Sequence, residues 1–226
     1  MITLDDIKNN KDFNYMIEKA QDYLRVRGYT EHGFRHVNYV SKYTAYILEK
    51  LGFNNRLAEL GGIAGYLHDV GNMFNRKHHG VAGASIIYNE LRRRGMSLDE
   101  ICIITTAIAN HEEEIGEAVS PVSSALILAD KSDAHRTRAT KTNTDEIHTR
   151  VNLAIKDSNL KVDSDKNEII LKIEYDSSIS QVMDYFEIYL HRMEMCKAAA
   201  SFLDCRFRLF INDLELLGKV KKNNKI

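Results

Sequence analysis

The chain has no tryptophan, one proline (Pro121) and three cysteines in 226 residues. A single proline leaves few forced breaks, which suits a helical chain. Cys102, Cys196 and Cys205 are widely spaced and form no C-x-x-C pair, which argues against a disulfide framework and a zinc knuckle and leaves them as buried thiols. A surplus of charge is missing too. Thirty-one basic residues stand against 32 acidic ones, so no global field draws the chain to nucleic acid or to a membrane surface, and any charged site has to be local. The apolar runs fall far short of the roughly 18 residues that span a bilayer. The opening MITLDDIKNNKDF lacks a signal-peptide layout, so the expectation is a cytoplasmic protein. There is no internal repeat and no low-complexity segment.

What the chain does have is a 44% hydrophobic content, enough for one sizeable core with a small appendage, and nine histidines. From about Gly33 to Leu51, Val37, Val40, Ile47, Leu48 and Leu51 recur at helical spacing, and His36 opens that helix. Asn54 or Asn55 caps the next helix, which runs through Leu57, Leu60, Ala64 and Leu67 to His68 and Asp69, with Gly71 placed to end it. Gly61, Gly62 and Gly65 inside it each cost up to about 1 kcal/mol relative to alanine. With Ala58 they form a face almost without side chains, against which another helix backbone can approach.

A third helix starts at His79 and carries Ala82, Gly83, Ile86, Ile87 and Leu91 on one stripe. Ser97-Leu98-Asp99-Glu100 reads as a capping box for a helix that turns Ile101, Ile104, Thr105 and Ile108 inward before His111. Ser120-Pro121 opens SSALILADKSD, with Asp130 four residues after Leu126. Beyond Ile147 the period changes. Val151, Leu153 and Ile155, then Leu160 and Val162, then Ile169, Leu171, Ile173 and Tyr175 read as a three-stranded antiparallel meander. Ser178 and Gln181 cap a long helix or helix pair to about Leu217, followed by a frayed tail.

His36, His68, His79 and His111 thus lie at or near helix ends in continuity with apolar stripes, and Asp69 and Asp130 share that placement. Imidazole and carboxylate suit zinc, iron, manganese and, less often, magnesium, and six such groups are enough for two ions. One inward histidine is ordinarily a hydrogen-bonded core residue, and that plainer reading is kept for His32, Asn110 and His135. For the set of six it gives way to their order. RHVNYV, LHDVGN, HGVAGASII, NHEEEIG and ILADKSDA, over residues 30 to 140, resemble the HD superfamily of metal-dependent phosphohydrolases, defined by a histidine, a His-Asp doublet and a later aspartate.

The resemblance implies that His36, His68, Asp69 and Asp130 ligate a first metal. It also implies that His79 and His111 serve a second, with Asp69 bridging. The cofactor is then one or two divalent ions, iron, manganese, zinc or magnesium. Lys131, beside Asp130, is the foremost phosphate-binding candidate, followed by Arg76 and Lys77, then Arg136 and Arg138. Asp133 is placed to orient a ligand or to pair with Arg136. Water, Glu112, Glu113 or His32 is available to protonate the leaving group. The cyclic-dinucleotide phosphodiesterase branch has a lysine soon after HDxG, a His-His-Glu run and a Gly-Tyr-Pro signature. Here stand Asn72, Asn110-His111-Glu112 and no Gly-Tyr-Pro, which disfavours that branch.

The expected fold is mostly α: an HD-type helical core over residues 1–146, a β-meander appendage over 147–176, and C-terminal helices over 177–218 packed on the core as one structural unit. The expected function is phosphohydrolysis of a phosphorylated small molecule, a nucleotide foremost. A phosphodiesterase acting on a dinucleotide or cyclic nucleotide, and a non-catalytic metal-bound signalling module, are the alternatives. No nucleic-acid or membrane partner is expected, and the meander with the C-terminal helices offers a surface for a homodimer or a lid.

Overall fold

The computed structural model describes residues 1–139 and 146–218. The expected frayed tail lies outside them from residue 219 onward, as do residues 140–145 near the expected core boundary. Among the described residues the chain runs α1 (Leu4–Lys8), α2 (Lys11–Val26), α3 (Phe34–Lys50), α4 (Asn55–Leu67), α5 (His79–Arg93), α6 (Leu98–Ala109), α7 (Pro121–Ser132) and α8 (Ile147–Ala154). Then come β1 (Ile155–Asp163), β2 (Glu168–Tyr175), α9 (Val182–Phe202), β3 (Arg206–Ile211) and β4 (Leu214–Leu217). The fold is mostly α with a small sheet, and among the described residues no helix is long and apolar enough to cross a membrane.

The helix starts follow their capping chemistry. Asn54 caps α4 by accepting from Leu57 N at 2.9 Å, and Ser120 forms a reciprocal capping box with Ser123 ahead of Pro121. Ser97 makes only its half of the expected box at α6, because the Glu100 carboxylate turns to Arg56 at 2.7 Å. At α9 the cap falls on Gln181, boxed with Asp184, rather than on Ser178.

Two glycines set the spacing that the site depends on. A Cβ on Gly65 would stand 2.8 Å from Cα and N of Ser41, so α4 lies backbone-to-backbone against α3, as the side-chain-poor face foretells. A Cβ on Gly71 would meet the His79 carbonyl oxygen and, at 2.6 Å, Gly83 N. Gly71 therefore does not end α4 through a left-handed turn. It presses the 3-10 turn Val70–Met73 against the start of α5 and brings the His-Asp doublet to His79.

The second half departs from expectation in two places. Val151, expected in a first strand, sits in α8 with Ala154 buried on the same side, since three apolar residues are too few to separate period 2 from a helical turn. The C-terminal helix pair is one helix, α9, followed by two strands. In β3 Phe207, Leu209 and Ile211 are buried and alternate with more exposed residues, the two-residue period of a strand. The sheet order is β1-β2-β3-β4. The expected antiparallel pairing of β1 with β2 is present, with Leu160 opposite Leu171. α9 then crosses over so that β3 joins β2 in parallel, Leu171 opposite Leu209. α9 packs on α7 and β3, which ties the sheet to the helical core.

Candidate metal centre

All six histidine and aspartate candidates arrive at one place, each from a helix end. His36 is in the first turn of α3 and His79 opens α5; His68 and Asp69 follow α4, His111 follows α6, and Asp130 lies in the last turn of α7. Helix bodies must diverge to pack, while their ends can converge, so this placement collects side chains from five helices without crowding their axes. The four histidines and Asp69 are buried, and the Asp130 side chain is nearly so.

Each ring is oriented through Nδ1. His68 points it at the Gly65 carbonyl (2.9 Å), His79 at Arg76 O (2.8 Å), His111 at Ile108 O (2.6 Å) and His36 at the Asp133 carboxylate (2.6 Å). Since each partner is an acceptor, Nδ1 carries the hydrogen and Nε2 of the neutral ring is left as a lone pair. Those Nε2 atoms face one another in pairs, His36 to His68 at 3.2 Å and His79 to His111 at 3.0 Å.

Asp69 stands between the pairs and serves both. Its Oδ2 lies 3.6 Å from His36 Nε2 and 3.3 Å from His68 Nε2; its Oδ1 lies 3.2 Å from His79 Nε2 and 3.7 Å from His111 Nε2. Oδ2 is buried without a hydrogen-bond partner. Asp130 Oδ1 approaches His36 Nε2 at 3.4 Å and His68 Nε2 at 3.8 Å, while its Oδ2 accepts from Lys131 Nζ at 2.6 Å.

The electrostatics describe a cluster short of positive charge. Burial pushes the His68 imidazole down, but Asp69 and Asp130 more than reverse that and raise it. Burial pushes Asp69 up, and His68, His111 and His79 hold it well below the carboxylate range. His111 is brought down to about 4, first by burial. Paired lone pairs, two carboxylates and an orphaned buried oxygen fit divalent cations, which accept from all of them at once. His36, His68 and Asp130 form one group whose ligand atoms could hold an ion, and His68, Asp69 and His111 form another.

Further residues orient these side chains. Asp133 takes His36 Nδ1 and two hydrogen bonds from Arg35 at 3.1 and 2.6 Å, with Arg138 beside it. It pairs with Arg35 and Arg138, not with Arg136. Asn72 donates from Nδ2 to Asp69 Oδ1 at 2.8 Å and to the Asp69 carbonyl at 3.1 Å.

Of the expected phosphate-binding residues, Lys131 and Arg76 line the small cavity above the cluster; Arg138, a later candidate, lines it too. Lys77 is exposed in the loop before α5, and neither it nor Arg136 is part of that lining. Arg192 of α9 is there instead, a residue the sequence reading missed. Its one trace in the sequence is a charged position in phase with the inward stripe of Tyr189 and Cys196.

The leaving-group candidates also change. Glu112 accepts from His78 N (2.9 Å) and Gly80 N (3.3 Å) at the start of α5, where it caps. Burial raises Glu113, but Arg192 and Lys131 outweigh it and hold the carboxylate below its ordinary range. His32 is brought well below the imidazole range by burial and by Arg138, so near neutral pH it carries no proton to give.

These features define a mostly helical protein whose helix ends enclose a histidine and aspartate cluster fit for divalent metal. Residues 33–137 match the HD domain family, and the chain carries an HD domain. A crystal structure of a predicted HD superfamily hydrolase from an uncultured Thermotogales bacterium aligns over 55% of this chain and 68% of its own, at 19% identity and a TM-score of 0.44. A comparison with curated proteins gave no match.

Proposed function

We propose that the protein is a metal-dependent phosphohydrolase acting on a phosphate ester or anhydride of a small molecule, a nucleotide in the first instance. The observation that carries this reading is the two-ended placement of Asp69, with one carboxylate oxygen toward His36 and His68 and the other toward His79 and His111. His36, His68, Asp69 and Asp130 would hold one ion, and Asp69, His79 and His111 a second. Divalent cations bound there would lower the pKa of water and polarise a phosphoryl oxygen.

The chain's own residues do the rest. Asp133 fixes the His36 ring so that Nε2 faces inward, and Asn72 fixes the Asp69 carboxylate. Lys131 and Arg76 supply positive charge where phosphoryl oxygens would lie, the main need of this reaction's transition state.

Asp69→Ala is expected to lose bound metal, measured by elemental analysis of the purified protein, together with hydrolysis of a nucleotide and phosphomonoester panel. Activity retained in that variant sinks the reading. Hydrolysis confined to dinucleotides or cyclic nucleotides would move the protein to the phosphodiesterase alternative. Metal bound without turnover of any phosphate ester would favour a signalling module.

A further inference from the structure

The cavity above the cluster holds four cationic side chains, and one of them, Arg192, comes from α9, far along the chain from the stretch that matches the HD domain. Arg192 sits in the middle of α9, half-buried, with its guanidinium 4.8 Å from the Tyr189 ring centroid. Its Nε lies 2.5 Å from Glu113 Oε1, yet that buried nitrogen has no aligned hydrogen bond. Among the described residues no hydrogen bond to its Nη atoms is found either. Lys131 Nζ approaches the same Glu113 oxygen at 3.9 Å while bonded to Asp130. One carboxylate is therefore shared by two cations that line the cavity, and the arginine is held by charge and stacking rather than by a fixed hydrogen-bonding fork.

The cavity measures only about 10 Å³, which is room for about one water molecule. An anion can enter only if a side chain that closes the cavity moves. The Arg192–Glu113 pair bridges α9 and the segment after α6 and lines the space, so parting the two side chains would widen it. A guanidinium suits bidentate capture of phosphate, and stacking on Tyr189 limits the freedom it would lose on binding.

We propose that Arg192 is an anion-binding residue of this site, exchanging the Glu113 carboxylate for a phosphoryl group of the substrate and clamping it with Lys131. The proposal rests on the phosphohydrolase reading for its substrate, but the binding step is separable. The HD domain presents the metal ligands, and the C-terminal helix supplies a cation that completes the phosphate subsite.

The test is calorimetric titration of inorganic phosphate into the full chain, both manganese-loaded and chelator-stripped, with metal content read by elemental analysis. Arg192→Ala should weaken phosphate binding roughly 10- to 100-fold in both forms, with metal content unchanged. Glu113→Gln should strengthen it several-fold, because the competing carboxylate charge is gone. If Arg192 only props the Glu113 segment, both variants weaken binding alike, and that result overturns the proposal. So does wild-type affinity in Arg192→Ala, or no phosphate binding to the wild-type chain in either form. Arg192-dependent phosphate binding by a chain that takes up no metal would sink the hydrolase reading and keep the anion site. Metal uptake with Arg192-independent binding would do the reverse.

Discussion

Asp133 binds no candidate ion position itself, yet it decides where His36 points. Replacing it with asparagine leaves its volume intact and removes the charge that holds the imidazole between Arg35 and Arg138. Metal affinity of Asp133→Asn should fall about 10- to 100-fold, as for other partners that orient a metal-binding histidine. Competition with a chromophoric chelator measures it, and unchanged affinity would return Asp133 to a structural ion pair. A second prediction concerns the metal-free protein. His111 and His32 are depressed in the fold, so between about pH 6.5 and 4 the unfolded chain binds protons that the folded one refuses. Their stabilisation is complete above pH 6.5 and is lost as pH falls. His68, which is raised, works the other way: its contribution is present below pH 6.5 and is lost as pH climbs. The lowered carboxylates Asp69, Asp130 and Asp133 lose theirs only as pH falls below about 4. Chelator-treated protein should therefore show a falling Tm from pH 6.5 to 4.5, and a flat profile would contradict the burial of these two rings. Asp69 and the four histidines stand out in the sequence at helix ends in phase with apolar stripes, but it is the resemblance of their order to the HD superfamily that joins them into one set. Asn72 was read only as a departure from one branch, because no spacing rule tells a reader that an amide three residues on will turn back to the carboxylate.

At the scale of elements, the spacing of α3 and α4 is what Gly65 protects. In Gly65→Ala the added methyl meets Ser41 backbone that no rotamer change can move, so the helices must separate. Overpacking of this kind costs about 1–3 kcal/mol. At this chain length that lowers Tm by roughly 2–12 °C. Metal affinity should fall with it, because His36 rides on one helix and His68 on the other; a Tm unchanged within error would show that the contact is slack. The helices α3 to α7 were readable because caps and stripes agree with one another, with Gly52 and Gly95 as stops, whereas α1 and α2 were not read at all. The sheet was half legible. β1 and β2 alternate over enough residues to declare themselves, whereas β3 follows a long helix without proline or glycine between them, and its parallel pairing depends on partners some 40 residues earlier in the chain.

At the scale of the whole molecule, buried residues of helices and sheet form one continuous core, so α9 is expected to leave only when everything else does. Cys196 reports on this. Its thiol is pushed up to about 12 by burial, while Cys102 on α6 is exposed. Under native conditions a thiol reagent should modify Cys102 readily and leave Cys196 untouched. In rising urea, Cys196 should react only within the global unfolding transition followed by circular dichroism. Labelling ahead of that transition would show α9 to be a separately opening unit and would divide the chain in two. The order of the chain has a further consequence for synthesis. All six candidate metal ligands lie at or before Asp130, whereas Arg192 belongs to a helix that begins at Val182. At ordinary translation speeds the intervening segment, roughly fifty residues, takes roughly 3–10 s to make. A nascent chain thus has all six candidate ligands seconds before the arginine that lines the cavity beside them, and metal loading on the ribosome would meet an open vestibule rather than a sealed one.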